Sequence, residues 1–152
     1  MRKIGIFLKY WLILVLWMSL IFVGSGDTKS FHRSSRIIEP VLRWLYPKIS
    51  DAAVDHVVFV ARKGAHLTEY AILAMLIWRA VRMPVRGDRR PWLWKHFWIA
   101  LAIAAFYAST DEYHQTFVPD REGCVRDVII DTCGSAAGLL AIRQIGRWRK
   151  RW

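Results

Sequence analysis

Two polar clusters interrupt an otherwise apolar chain, and their residue types are those of acid–base and headgroup-binding chemistry. The first runs from Arg62 to Tyr70 and contains Lys63, His66 and Glu69. The second runs from Tyr107 to Asp131 and contains Asp111, Glu112, His114, Gln115, Arg121, Arg126, Asp127 and Asp131. Ionisable side chains within apolar helices are costly and therefore mark function. His66 and His114 are candidate general bases or nucleophiles, with Glu69, Asp111 and Glu112 to orient them or share a proton. Lys63, Arg121 and Arg126 can hold an anionic headgroup by charge-assisted hydrogen bonds, and Gln115, Asp127 and Asp131 complete the binding set. A metal-assisted variant would draw on His66, Glu69, His114, Asp127 and Asp131, oxygen and imidazole donors that suit Mg, Mn or Zn. No recognised metalloenzyme spacing such as H-E-x-x-H accompanies them.

The elements that must position these groups are helices. Ile4 to Val23 is an apolar run broken only by Lys9 and Ser19. At 1.5 Å per residue it covers about 30 Å, one bilayer core. A cleaved signal peptide is the competing reading of that run, and its length favours a retained span. The loop from Gly24 to Ser50 begins polar, and Ser35 to Leu45 then sets Ile37, Ile38, Val41, Leu42 and Leu45 against Arg36, Glu39 and Arg43. That pattern predicts a short amphipathic helix at the interface, with Pro40 in its first turn or at a kink. Ser30, His32, Ser34 and Ser35 either bind a phosphate or sugar or form a solvated loop.

Ala52 to Val81 is a second span with a polar middle, in which Lys63, His66, Glu69 and Tyr70 share one helical face. His96 to Tyr113 is a third span, entered by Trp92, Trp94 and Trp98, and Gly123 to Ile145 a fourth. Only the turn from Thr116 to Glu122 separates these two, so they are antiparallel neighbours. Small residues, among them Ala100, Ala104 and Ala108 in the third span and Gly134 to Gly138 in the fourth, permit close helix approach. Cys124 and Cys133 are about 13.5 Å apart along one helix, too far for a disulfide, and read as small packing residues. The expected architecture is an all-α, polytopic membrane helix bundle: one domain over residues 1–152, about four transmembrane helices and a short amphipathic interfacial helix.

Composition agrees. Hydrophobic residues make up 55% of the 152, with nine Trp, as in a membrane protein rather than a soluble globule. A net charge of +11 would suit a nucleic-acid partner, yet the basic residues sit at the margins of apolar runs and not along one solvated face. Nucleic acid is therefore excluded, and membrane lipids are the expected partners. Lys and Arg number 13 in the N-terminus, the loop from Arg79 to Lys95 and the tail from Arg143, against 6 in the opposite loops. That bias places both termini in the cytoplasm and both polar clusters toward the outside. Measured from the cytoplasmic ends, Lys63, Asp111 and Asp127 each lie about 24 Å in, and His66, Asp131 and Glu69 about 20, 18 and 15 Å in. Three helices thus bring their charges to one slab. A bundle merely locked by ion pairs is the plainer alternative, although burying so many charges is a poor route to stability. His66 and His114 as a hydrogen-bonded pair, and Tyr70, Tyr107 and Tyr113 as packing aromatics, are the corresponding plain readings of single residues.

The motifs K-G-A-H-L-T-E-Y-A-I-L-A at Lys63 to Ala74, D-E-Y-H-Q-T-F-V-P-D-R-E-G at Asp111 to Gly123 and D-V-I-I-D-T-C-G at Asp127 to Gly134 resemble the VanZ family. These are small bacterial membrane proteins named for a member linked to teicoplanin resistance. The polar segment from Ser25 to Ser35 is similar, more loosely, to the family's Ser-containing outer loop. Asp120 stands where the family commonly has Gly, and Asp131 where Asn is frequent, which adds a negative charge. The resemblance implies a multi-pass protein of the bacterial plasma membrane with no well-defined family-level activity. Three functions stay open. The chain binds an anionic envelope lipid headgroup or a lipoglycopeptide and so alters antibiotic susceptibility; it is a membrane-embedded enzyme for phosphoryl transfer or hydrolysis on a lipid-linked envelope substrate; or it is a structural bundle.

Overall fold

The computed structural model describes residues 2–26, 30–85, 88–119 and 123–152, with the side chains of 2–4, 6 and 30–33 outside the description. Arg121, and with it the turn residues Asp120 and Glu122, lies outside the described residues, as do the side chains of Ser30 and His32. Among the described residues the protein is all-α. Five helices follow in order: α1 Arg2–Ser25, α2 Ser30–Leu45, α3 Asp51–Arg82, α4 Trp94–Gln115 and α5 Val125–Trp148.

The helix ends have local causes. Ser50 caps α3, its side chain accepting a hydrogen bond from the Ala53 N–H at 3.3 Å. At the other end Met83 turns left-handed, with φ of 46°, and its N–H closes on the Arg79 carbonyl at 2.8 Å. The following loop is held by a clasp. Arg82 donates to the Arg90 and Pro91 carbonyls and pairs with Asp88, while Arg90 returns a hydrogen bond to the Arg82 carbonyl at 2.8 Å. Hydrogen bonds from Arg90 hold the Asp88 carboxyl well below the usual carboxylate range.

Two expectations change. The amphipathic helix starts at Ser30 and not at Ser35, so Pro40 stands in its interior and removes one helical hydrogen bond there. Cys124 and Cys133 are free, as expected, but both are exposed and neither packs in the core.

α3 is the hub, packing against each of the other four helices. Its buried face carries Tyr70, Leu73, Ala74 and Ile77, the i, i+3, i+4, i+7 pattern of a helix stripe. Gly134 and Gly138 let α5 lie directly on it. A Cβ on Gly138 would stand 2.6 Å from the Ala71 carbonyl oxygen, and one on Gly134 would collide with that of Leu67. α4 closes the group with Ala100, Ala104 and Ala108, all fully buried. α1 is tied on from outside: Trp17 donates its indole N–H to the Glu69 carbonyl at 3.1 Å, and the Met18 carbonyl accepts the Tyr107 hydroxyl proton at 2.6 Å. Its other face leaves Leu12, Leu16, Leu20 and Val23 exposed. α1 over Phe7–Ser25 and α5 over Val125–Trp148 are long and apolar enough to cross a membrane. α3 and α4 fall short of that measure, α3 because Arg62 to Glu69 interrupts it in mid-helix.

Candidate functional site

The apolar stripes of the core turn acidic at one end. On α4 the buried series Ala100, Ala104, Ala108 continues as Asp111, Glu112 and Gln115. On α5 the series Leu139, Ser135, Asp131 runs to the same end. The carboxylates are therefore extensions of the packing faces, and helix periodicity alone brings them together.

Asp111 is 2% exposed and accepts three hydrogen bonds. Ser25, the last residue of α1, donates to Oδ1 at 2.5 Å, while Tyr70 and Gln115 donate to Oδ2 at 3.2 and 3.3 Å. Glu112 accepts from Gln115 Nε2 at 3.1 Å and from the Cys124 backbone N–H at 2.9 Å, which fixes the entry into α5. Asp131 is equally buried and lies in the electrostatic field of Glu112, Asp127 and Asp111. Lys63 supplies the opposing charge, ion-paired with Asp127, and both side chains are about one-quarter exposed, at 30% and 23%.

The other expected residues sit around this centre. Glu69 is half-exposed, within electrostatic reach of Asp111, and its Oε2 is 3.9 Å from His66 Nδ1, beyond hydrogen-bond length. His114 stacks on Phe22, ring centroids 4.2 Å apart, and its buried Nδ1 has no hydrogen-bond partner among the described residues. Arg126 is exposed on the first turn of α5. Among the described residues no group of three or more His, Cys, Asp and Glu is placed to hold a metal ion, so the donor set His66, Glu69, His114, Asp127 and Asp131 does not converge as positioned. Two members of the site were not among the expected residues. Tyr70, read as a packing aromatic, is fully buried with its hydroxyl on Asp111, and Ser25 reaches the same carboxylate from α1.

A family model described as VanZ/LLP1 matches residues 10–146. The chain belongs to the VanZ/LLP1 family. The match takes in α1 from Tyr10 onward and the whole stretch that carries the acidic centre. No curated protein and no solved structure matches the chain. Family membership and the two long apolar helices both point to a membrane protein.

Proposed function

We propose that this VanZ/LLP1 protein spans the bacterial plasma membrane four times, through α1, α3, α4 and α5. Both termini are cytoplasmic, and α2 lies at the outer interface. Its acidic end captures the polar headgroup of an envelope lipid or of a lipoglycopeptide, and holding that headgroup alters glycopeptide susceptibility. The observation that carries the reading is Asp131, a buried carboxylate in the field of Glu112, Asp127 and Asp111, set beside the Lys63–Asp127 pair. Acids gathered in a buried centre repel one another, so a ligand that brings donors to them binds with the energy of that relief. The acids outnumber the cations among the described residues of the centre. The ligand therefore presents hydroxyl or ammonium donors to Asp131 and an anionic group to Lys63. Asp111 and Glu112 already accept from Ser25, Tyr70, Gln115 and Cys124, so they hold the frame.

Lipid analysis of the purified protein tests this. The wild type should carry a polar lipid enriched over bulk phospholipid, and Lys63→Met and Asp131→Leu should each reduce that enrichment by about tenfold at unchanged helicity. A lipid profile identical to that of an unrelated membrane protein purified in parallel would sink the proposal. Turnover on a lipid-linked substrate is the second reading, and it rests on His114, whose Nδ1 has no hydrogen-bond partner among the described residues and so suits a proton-accepting role. Loss of the resistance phenotype in His114→Gln with lipid capture intact would establish it.

A further inference from the structure

At the opposite end of the bundle, the end of α3, the loop after it and the end of α5 line a half-open cavity of about 620 Å³. Its walls carry Arg79, Arg82, Arg89, Arg149, Lys150 and Arg151, against one acid, Asp88. That acid is already engaged by Arg82 and Arg90, so it does not neutralise the remaining cations. Arg82 is 3% exposed, and its guanidinium lies against both the Trp78 and Trp152 rings, at 5.3 and 5.1 Å from their centroids. The tail is built to curl back over it. Lys150 adopts a left-handed φ of 49°, the Arg151 N–H bonds to the Gly146 carbonyl at 2.9 Å, and Trp152 donates its indole N–H to the Arg143 carbonyl at 3.2 Å. Trp78, also in the wall, is 4% exposed and stacks on Trp92, ring centroids 5.3 Å apart.

We propose that this cavity is a second binding site, for a phosphate-bearing anion. Clustered guanidinium groups suit phosphate oxygens, and the volume suits a headgroup-sized ligand. A basic tail on a membrane surface attracts anionic lipid without any cavity. Here the turn at Lys150 and the seating of Trp152 convert that tail into a concave, directed set of donors. The site lies about 28 Å along α3 from Lys63, so it does not depend on the carboxylate centre.

The experiment uses the full chain in detergent micelles with equal amounts of phosphatidylcholine and phosphatidylglycerol, read by native mass spectrometry, and equilibrium dialysis against labelled orthophosphate. Wild type should retain phosphatidylglycerol preferentially. Arg89→Ala/Arg149→Ala/Arg151→Ala should lose that preference by at least about tenfold, and the single variant Arg149→Glu should lose it in the same direction. The matched control Lys48→Ala/Lys95→Ala/Arg147→Ala removes three exposed cations outside the cavity and should stay within about twofold of wild type. Orthophosphate that is bound and competes with the lipid identifies a soluble phosphate as ligand; lipid retention that orthophosphate does not disturb identifies a headgroup. Equal losses in the two triple variants, or no preference and no phosphate uptake by the wild type, would overturn the site.

Discussion

A phenol buried beside a carboxylate must give its proton to something, and Tyr70 gives it to Asp111. Tyr70→Phe keeps the ring and its packing but withdraws one of three donors from a 2% exposed carboxylate. The expected cost is about 1–2 kcal/mol, seen as a lower thermal midpoint of the purified protein, and a midpoint equal to wild type would remove Tyr70 from the site. Asp111, Glu112 and Asp131 were legible in the sequence because a charge on an apolar helix stands out whatever its orientation. Tyr70 and Ser25 were not. A tyrosine beside an apolar stretch and a serine ending a span are ordinary, and only the crossings of α1, α3 and α4 decide that their hydroxyls meet Asp111. His114 shows the converse. Its residue type promised a partner, yet the structure puts its ring on Phe22 and leaves Nδ1 without one among the described residues.

Between elements, the decisive contact is α5 on α3. Replacing a helical glycine with alanine ordinarily gains about 0.5–1 kcal/mol through backbone entropy. At Gly138 the sign should reverse, because the new Cβ would stand 2.6 Å from the Ala71 carbonyl oxygen, and backbone cannot yield as a side chain does. Gly138→Ala should cost about 1–3 kcal/mol, and a melting midpoint at or above wild type would contradict the close approach. Small-residue patterning made this face readable in advance, since few other sequences allow backbones to touch. Boundaries were less readable. The start of α2 at Ser30 lay hidden because Ser, Arg and His at its beginning resemble loop residues, and Pro40 argued for a later start than the chain adopts.

For the molecule as a whole, acids gather at one end and guanidinium groups at the other. On the proposed topology the acidic end faces outward. Exposed Cys124, just before α5, is a native reporter of that arrangement. In a Cys133→Ser background, a membrane-impermeant maleimide added to intact cells should label Cys124, and in Cys133→Ser/Cys124→Ser/Lys150→Cys it should label nothing until the cells are opened. The reverse pattern would invert the topology and place the carboxylates inside.

The helix that touches every other is also, with α4, one that falls short of the hydropathy measure for a membrane span. If α3 spans, it cannot enter lipid as an independent segment, since Lys63, His66 and Glu69 would meet acyl chains before any partner arrived. It must wait in the insertion machinery for α5, whose Asp127 neutralises Lys63 and whose glycines receive its backbone. Truncation ahead of α5 would then leave a chain that the cell degrades, because the groups that make the site are the same groups that forbid partial assembly.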